Sequence, residues 1–310
     1  MAVDEVRYRE AELRLWESVG VVPTEQRVRL ACTDVTVRVQ EVGRGPAVVF
    51  VHGVSNSGAS WAPLIGRLDG FRCVVLDRPG CGLSDPLVTG FDDVDRLGAF
   101  ADSLVVDVLD ALGLDRSDVV ATSFGGYMAL RAAAAHPDRI GRMVEFGWTV
   151  GAPIARTPLV MRLVSVPKLG VLLAKVPPNE RAVRAIFRQI GLGQALKAGR
   201  ISPEGLDWFL ALLRDTDTMR NELKAGPRVM FPLRGMNEDV LLPLNLLAKI
   251  QIPAYFLWGE EDPFGGADVA RAFVKHLPNA ELELMPGAGH AVWMDDPDHA
   301  AATARSFLGH

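Results

Sequence analysis

The run DVVATSFGGYMAL, Asp118 to Leu130, passes from a β pattern to a helical one with no turn residue between them. DVVATS is an almost continuous apolar run, the pattern of a central strand covered on both faces. Gly125, Gly126, Ala129 and Ala132 to Ala135 then give a helix small enough to lie close on a sheet, until Pro137 stops it. Ser123 is caught at the junction. So sharp a reversal strains the serine backbone and is tolerable only with small residues two positions away on either side, a demand that Ala121 and Gly125 meet.

The rest of the chain supplies the sheet. RVRLACT, VTVRVQEV, AVVFVHG, RCVVLD, DVVATS and RMVEFG alternate with helical segments between Arg27 and Gly147, as in a mostly parallel sheet with helices on both faces. From Trp148 to Ala248 the strand pattern gives way to Pro-punctuated helical pieces, and it resumes at PAYFLWGEED and AELELMPGAG. The expected organisation is one α/β core, residues 1–147 and 249–310, carrying a helical lid inserted at 148–248. A chain of 310 residues is long enough for both. An additional surface helix is expected before Gly20.

Composition excludes several classes. A net charge of −5 argues against nucleic acid as a partner. Cys32, Cys73 and Cys81 lack the number and spacing for a disulfide framework or a Cys-built zinc site, which fits a reducing, cytoplasmic setting. The acidic start, with Asp4, Glu5, Glu10, Glu12 and Glu17, is unlike a secretory leader. The longest apolar stretch, Leu159 to Val176, is broken by Arg162, Pro167, Lys168 and Lys175, so no stable membrane insertion is expected. No metal-spaced His cluster or phosphate loop is visible, and no cofactor is called for. Charge is uneven: residues 148–248 hold 14 Lys and Arg against 8 Asp and Glu, while the remainder is strongly acidic. That is either a solvated helical face or a surface that attracts an anionic small molecule.

A serine needs a base to take its proton and a third group to orient the base. Of six histidines, His136 and His299 sit at helix ends, His276 on a surface helix and His310 at the terminus. His290 differs, because in PGAGHAVWMDDP it follows the last strand on a glycine-flanked loop able to fold over the sheet edge. The acid should follow the preceding strand, where PAYFLWGEEDPF offers Glu260, Glu261 and Asp262. Asp262, in the turn beside Pro263, is favoured.

These segments, VHG with the later Trp61, LDRPGCGLSD, TSFGG, WGEEDP and GAGH, stand in one order from about Arg27 to the C-terminus and together resemble the α/β-hydrolase superfamily. The resemblance implies a nucleophile elbow at Ser123, a Ser–Asp–His chain order and an oxyanion hole formed by the backbone amides of Val54 and Phe124, with His52 bracing that turn. One haloalkane dehalogenase subgroup places its acid where RMVEFGW has Glu145, so Glu145 competes with Asp262. Dehalogenases and epoxide hydrolases attack through Asp, and the latter use lid tyrosines. Here the elbow holds Ser, and Tyr8, Tyr127 and Tyr255 all lie outside the expected lid.

The expected reaction is therefore acyl transfer to water. Ester hydrolysis of a medium-sized, largely apolar substrate is the default. Carbon–carbon bond hydrolysis, thioester or lactone cleavage, or slow-turnover binding of the hormone-receptor kind remain as alternatives on the same triad. Trp148, Met161 and Met236 are the residues offered for the pocket.

Overall fold

The computed structural model describes residues 3–87, 93–155, 166, 177–225, 230–231 and 235–309. Eight strands form one sheet: β1 (Thr24–Arg29), β2 (Thr36–Gly43), β3 (Ala47–Val51), β4 (Arg72–Leu76), β5 (Ser117–Ser123), β6 (Ile140–Thr149), β9 (Ala254–Gly259) and β10 (Ala280–Met285). Their order is β1-β2-β4-β3-β5-β6-β9-β10. β2 runs antiparallel to both neighbours, and every other pairing is parallel. The result is the expected α/β arrangement, with the apolar runs of β3 and β5 paired at its centre.

Alternation along each strand feeds two apolar cores, one per face. Val49 and Val51 of β3, Val119 and Ala121 of β5, and Phe256 and Trp258 of β9 join one cluster with α3 (Val94–Ala111), α4 (Phe124–Ala135) and α10 (Ala267–Val274). Val48 and Phe50, Val120, and Leu257 point the other way, into a cluster with α1 (Glu5–Ser18), α2 (Ala62–Ile65) and α12 (Pro297–Leu308). A single-residue slip in any of these strands would exchange the two faces.

Between β6 and β9 the described elements are α5 (Glu180–Gln189), α6 (Gly193–Lys197), α7 (Pro203–Asp215), α8 (Thr218–Ala225), the short pair β7 (Met230–Phe231) and β8 (Gly235–Met236), and α9 (Leu244–Leu247). α11 (Val292–Asp295) follows β10. β6 runs two residues past Gly147, because Thr149 still pairs with Ser123. Among the described residues no helix is long and apolar enough to cross a membrane.

Two expectations are corrected. β1 covers Thr24–Arg29 and not Arg27 to Thr33, because the chain turns at Leu30: its amide donates to Val35 O, Asp34 N donates back to Leu30 O, and Asp34 takes φ 58°. The N-terminal helix is more than a surface addition. It ends before Gly20 as expected, but Tyr8, Leu15 and Trp16 are buried and α1 packs along α7. Its Glu12 is buried against Arg38 of β2, with contacts of 2.9 and 2.5 Å.

Candidate active site

Ser123 ends β5 and immediately precedes α4, with φ 56° and ψ −119°. A non-glycine residue there carries about 1–3 kcal/mol of strain, which the surroundings must overcome. They do so from two sides. The Ser123 carbonyl accepts from Val150 N and Thr149 Oγ1, each at 3.1 Å, and Thr122 Oγ1 donates to Phe146 O at 2.6 Å, so the end of β6 clamps the turn. Gly125 lets α4 begin against β3, since a Cβ there would lie 2.1 Å from Val51 O. Ala121, in the place where glycine is usual, is fully buried and paired with Val51 and Glu145.

The same strand end reaches Asp262 and His290, the expected acid and base. Trp148 N donates to Asp262 Oδ2 at 2.9 Å, and the same oxygen lies 2.8 Å from His290 Nδ1. Asp262 Oδ1 accepts from Phe264 N at 3.0 Å, so both carboxylate oxygens are engaged. A carboxylate at Asp262 can only accept, so the contact suits a tautomer with the proton on Nδ1, which presents Nε2 as the acceptor a general base needs. The ring is held edge-on to Phe264, centroids 4.6 Å apart, and 6.3 Å from Trp148. His290 N donates to Ile190 O at 2.8 Å, which ties its loop to the segment after α5. Among the described residues no hydrogen bond joins Ser123 Oγ to His290.

Glu145 is brought to the elbow but not to the histidine. Its carboxyl is wholly buried under α4: a Cβ on Gly126 would lie 2.0 Å from Oε1. Neither oxygen has a hydrogen-bond partner among the described residues. Burial drives its pKa well above the ordinary carboxyl value, and the nearby Ser123 amide and Thr149 hydroxyl offset this only in part. A neutral acid at that place has no charge with which to stabilise an imidazolium.

The HG turn after β3 is equally ordered. His52 is fully buried, its Nδ1 lies 2.8 Å from Gly53 O, and its Nε2 accepts from Arg78 N at 3.0 Å. Burial, with the Arg78 charge beside it, holds its pKa well below the ordinary histidine value, so His52 is a neutral brace. The next residue, Val54, is 40% exposed, which leaves the turn open to solvent, while Phe124 is buried at the start of α4. Cys81 is buried with Sγ 3.1 Å from Glu222 Oε1, and burial keeps its thiol protonated. Asp295 accepts from Gly289 N, one residue before the histidine, at 2.8 Å, and burial pushes it up to about 6.

Of the residues expected to line a pocket, Trp148 lies beside His290, whereas Met236 is only partly buried and packs against the core cluster of α3 and α4. Met161 lies outside the described residues. Thr149, Phe264, Ile190 and Arg78 were not predicted by the motifs. Phe264 directly follows the DP of WGEEDP, the one signal that could have found it. Among the described residues no group of His, Cys, Asp and Glu is arranged to hold a metal ion.

A family model described as the alpha/beta hydrolase family matches residues 48–304. The chain belongs to the alpha/beta hydrolase family. As a member of that family it is 27% identical over 286 residues to a 2-hydroxy-6-oxononadienedioate/2-hydroxy-6-oxononatrienedioate hydrolase of Paraburkholderia phymatum, covering 89% of this chain and 92% of the relative. The fold matches a 2-hydroxy-6-oxo-6-phenylhexa-2,4-dienoate hydrolase of a Rhodococcus species with a TM-score of 0.72 at 20% identity, over 94% of this hydrolase-family chain and all of the other. It also matches a naproxen esterase of Bacillus subtilis, TM-score 0.75 at 17% identity, over 99% of both chains.

Proposed function

We propose that this protein is a serine-nucleophile hydrolase that cleaves a carbon–carbon bond beside a ketone in a 2-hydroxy-6-oxo-dienoic acid. The observation that carries this reading is the match, along nearly the whole of both chains, to a relative named for such a substrate. Ester cleavage, the default from the residues alone, becomes the second reading. It is favoured by the site itself, since a serine, an imidazole paired with Asp262 and two elbow-side amides would open an ester without further equipment.

In this reading Ser123 is the nucleophile, His290 the base, Asp262 its orienting acid, and Val54 and Phe124 the oxyanion donors. A carbon leaving group departs only as a stabilised anion, so the dienol must first ketonise, the C2 hydroxyl losing a proton as C5 gains one. Ser123 Oγ then adds to the C6 carbonyl as His290 Nε2 takes its proton, and the oxyanion points at the two amides. Breaking C5–C6 sends the electron pair through C3=C4 to the C2 oxygen, which takes the proton from the His290 imidazolium to give the dienol and restore the base. Water attacks the acyl-serine, with His290 again as base, and releases the acid. Residues 148–248 serve as the lid. Ile190 O, which holds His290 N, and Glu222, which reaches the HG turn, support that role. A segment with an excess of Lys and Arg also suits a carboxylate substrate.

Side-by-side kinetics with 2-hydroxy-6-oxo-6-phenylhexa-2,4-dienoate and p-nitrophenyl butyrate test the proposal. The dienoate is expected to have a kcat/KM at least about a hundred-fold higher, a ratio within reach of a site built for one substrate's polar groups. Faster turnover of the ester, with no loss of dienoate, would install the second reading instead.

A further inference from the structure

Arg78 lies in the loop after β4 with its side chain 3% exposed, and its guanidinium is committed to the HG turn. Nε donates to the His52 carbonyl at 3.0 Å and Nη2 to the Gly53 carbonyl at 2.8 Å. Nη2 also meets Glu222 Oε1 of α8 at 3.0 Å, and the other oxygen of Glu222 accepts from Ser55 N at 3.4 Å. The guanidinium carbon sits 5.0 Å from the centroid of the Phe124 ring. Asn221 Nδ2 to Gly80 O, and Gly82 N to Thr218 Oγ1, fasten the same helix to the same loop.

The Gly53 carbonyl and the Val54 amide are the two ends of one planar peptide, with N–H trans to C=O. Whatever pins the oxygen sets the direction of the N–H, and a cationic donor on the oxygen also polarises the amide into a stronger donor. Gly53 O has two partners, the cationic Arg78 Nη2 and the neutral His52 Nδ1, each at 2.8 Å. The ring donates from Nδ1 because its Nε2 is already accepting from Arg78 N. This peptide is next to the nucleophile, since a Cβ on Gly53 would lie 3.0 Å from Ser123 Cβ.

We infer that Arg78 is a positioning residue of the oxyanion hole: it orients and polarises the Gly53–Val54 peptide, braces the Phe124 ring beside the second amide, and through Glu222 couples both to α8. The inference rests on the proposed roles of Ser123, Val54 and Phe124. Arg78 acts on the peptide and not on substrate, so its loss weakens binding of the tetrahedral oxyanion and leaves ground-state binding alone.

The test measures kcat and KM for p-nitrophenyl butyrate, together with inhibition by phenylboronic acid, in the wild type, Arg78→Met, Arg78→Lys, Glu222→Gln and Ser123→Ala. Arg78→Met is expected to lower kcat about 30-fold, approaching the loss of one oxyanion donor. KM should change less than about two-fold, and the boronate Ki should rise in parallel with the fall in kcat. Arg78→Lys should recover part of the loss, because one ammonium can hold one carbonyl but not the fork. Glu222→Gln should fall between Lys and wild type. If Arg78→Met does not fold, Arg78→Lys alone decides, with an expected kcat loss of about 10-fold and the same boronate trend. Unchanged kcat, or a kcat loss without a matching loss of boronate affinity, overturns the inference. Turnover surviving in Ser123→Ala would overturn the reading of the site on which it stands, a distinct result.

Discussion

Replacing Asp262 by Asn is expected to lower kcat by about ten-thousand-fold while Glu145→Gln stays within about three-fold of wild type. Asp262 Oδ2 is 2.8 Å from His290 Nδ1, and in the proposed role its carboxylate, which can only accept, keeps the ring proton on that nitrogen. An amide in its place can donate to Nδ1, which shifts the ring proton to Nε2 and removes the base from the serine's reach. Glu145 has no such leverage. Burial favours its neutral form, neither oxygen has a hydrogen-bond partner among the described residues, and a glutamine fills the same volume. Steady-state kinetics on the two variants separate them. Loss of turnover confined to Glu145→Gln would move the acid to β6 and overturn the assignment.

Arg38→Met is expected to cost about 3–5 kcal/mol of stability, because it strips the cation from buried carboxylates. Arg38 meets Glu12 of α1 at 2.9 and 2.5 Å, Glu25 at 2.7 Å and Asp77 at 3.4 Å. Asp77 in turn holds the Gly58 and Leu83 amides, and Tyr8 reaches Ser57, so the network joins the N-terminal helix to the loops around the site. Burial already raises the Asp77 pKa, against the pull of Arg38. Removing Arg38 raises it further above its unfolded value. The penalty is therefore fully present above the folded pKa and shrinks as pH falls through it. Thermal melts should show Tm lowered by roughly 10 °C at pH 8 and less at pH 5. Arg184→Met, which breaks only the exposed pair with Glu180, should change stability by under about 0.5 kcal/mol. Equal effects for the two variants would contradict this account of the core.

What the sequence disclosed follows from how local each signal is. β5, Ser123 and α4 are consecutive, and their apolar run, strained residue and small helix can be read in one window; β3 with its HG turn is read the same way. Asp262 and His290 each lie in the loop after a strand, so the sequence brought both forward as candidates, and the structure places them in contact. The preference for Asp262 over Glu145 rested on its place in the turn after β9, whereas Glu145 lies within the neighbouring strand β6; the geometry around Trp148 N, which bonds Asp262, is not written in either segment. Arg78 and Arg38 were opaque for a related reason. A lone arginine has no periodicity, and its partners lie as far away in the chain as Glu222 and Glu12. The end of β1 was misplaced because an unremarkable Cys-Thr-Asp stretch supplies a turn through Asp34 in the left-handed region.

The central claim is that Ser123 is a nucleophile activated by His290, and mass spectrometry after reaction with a fluorophosphonate tests it most directly. The wild type is expected to gain one phosphonyl group, on the peptide containing Ser123, with Ser123→Ala unlabelled and His290→Ala labelled at least about a thousand-fold more slowly. A phosphonyl group on another residue, or a labelling rate at Ser123 indifferent to His290→Ala, would contradict it.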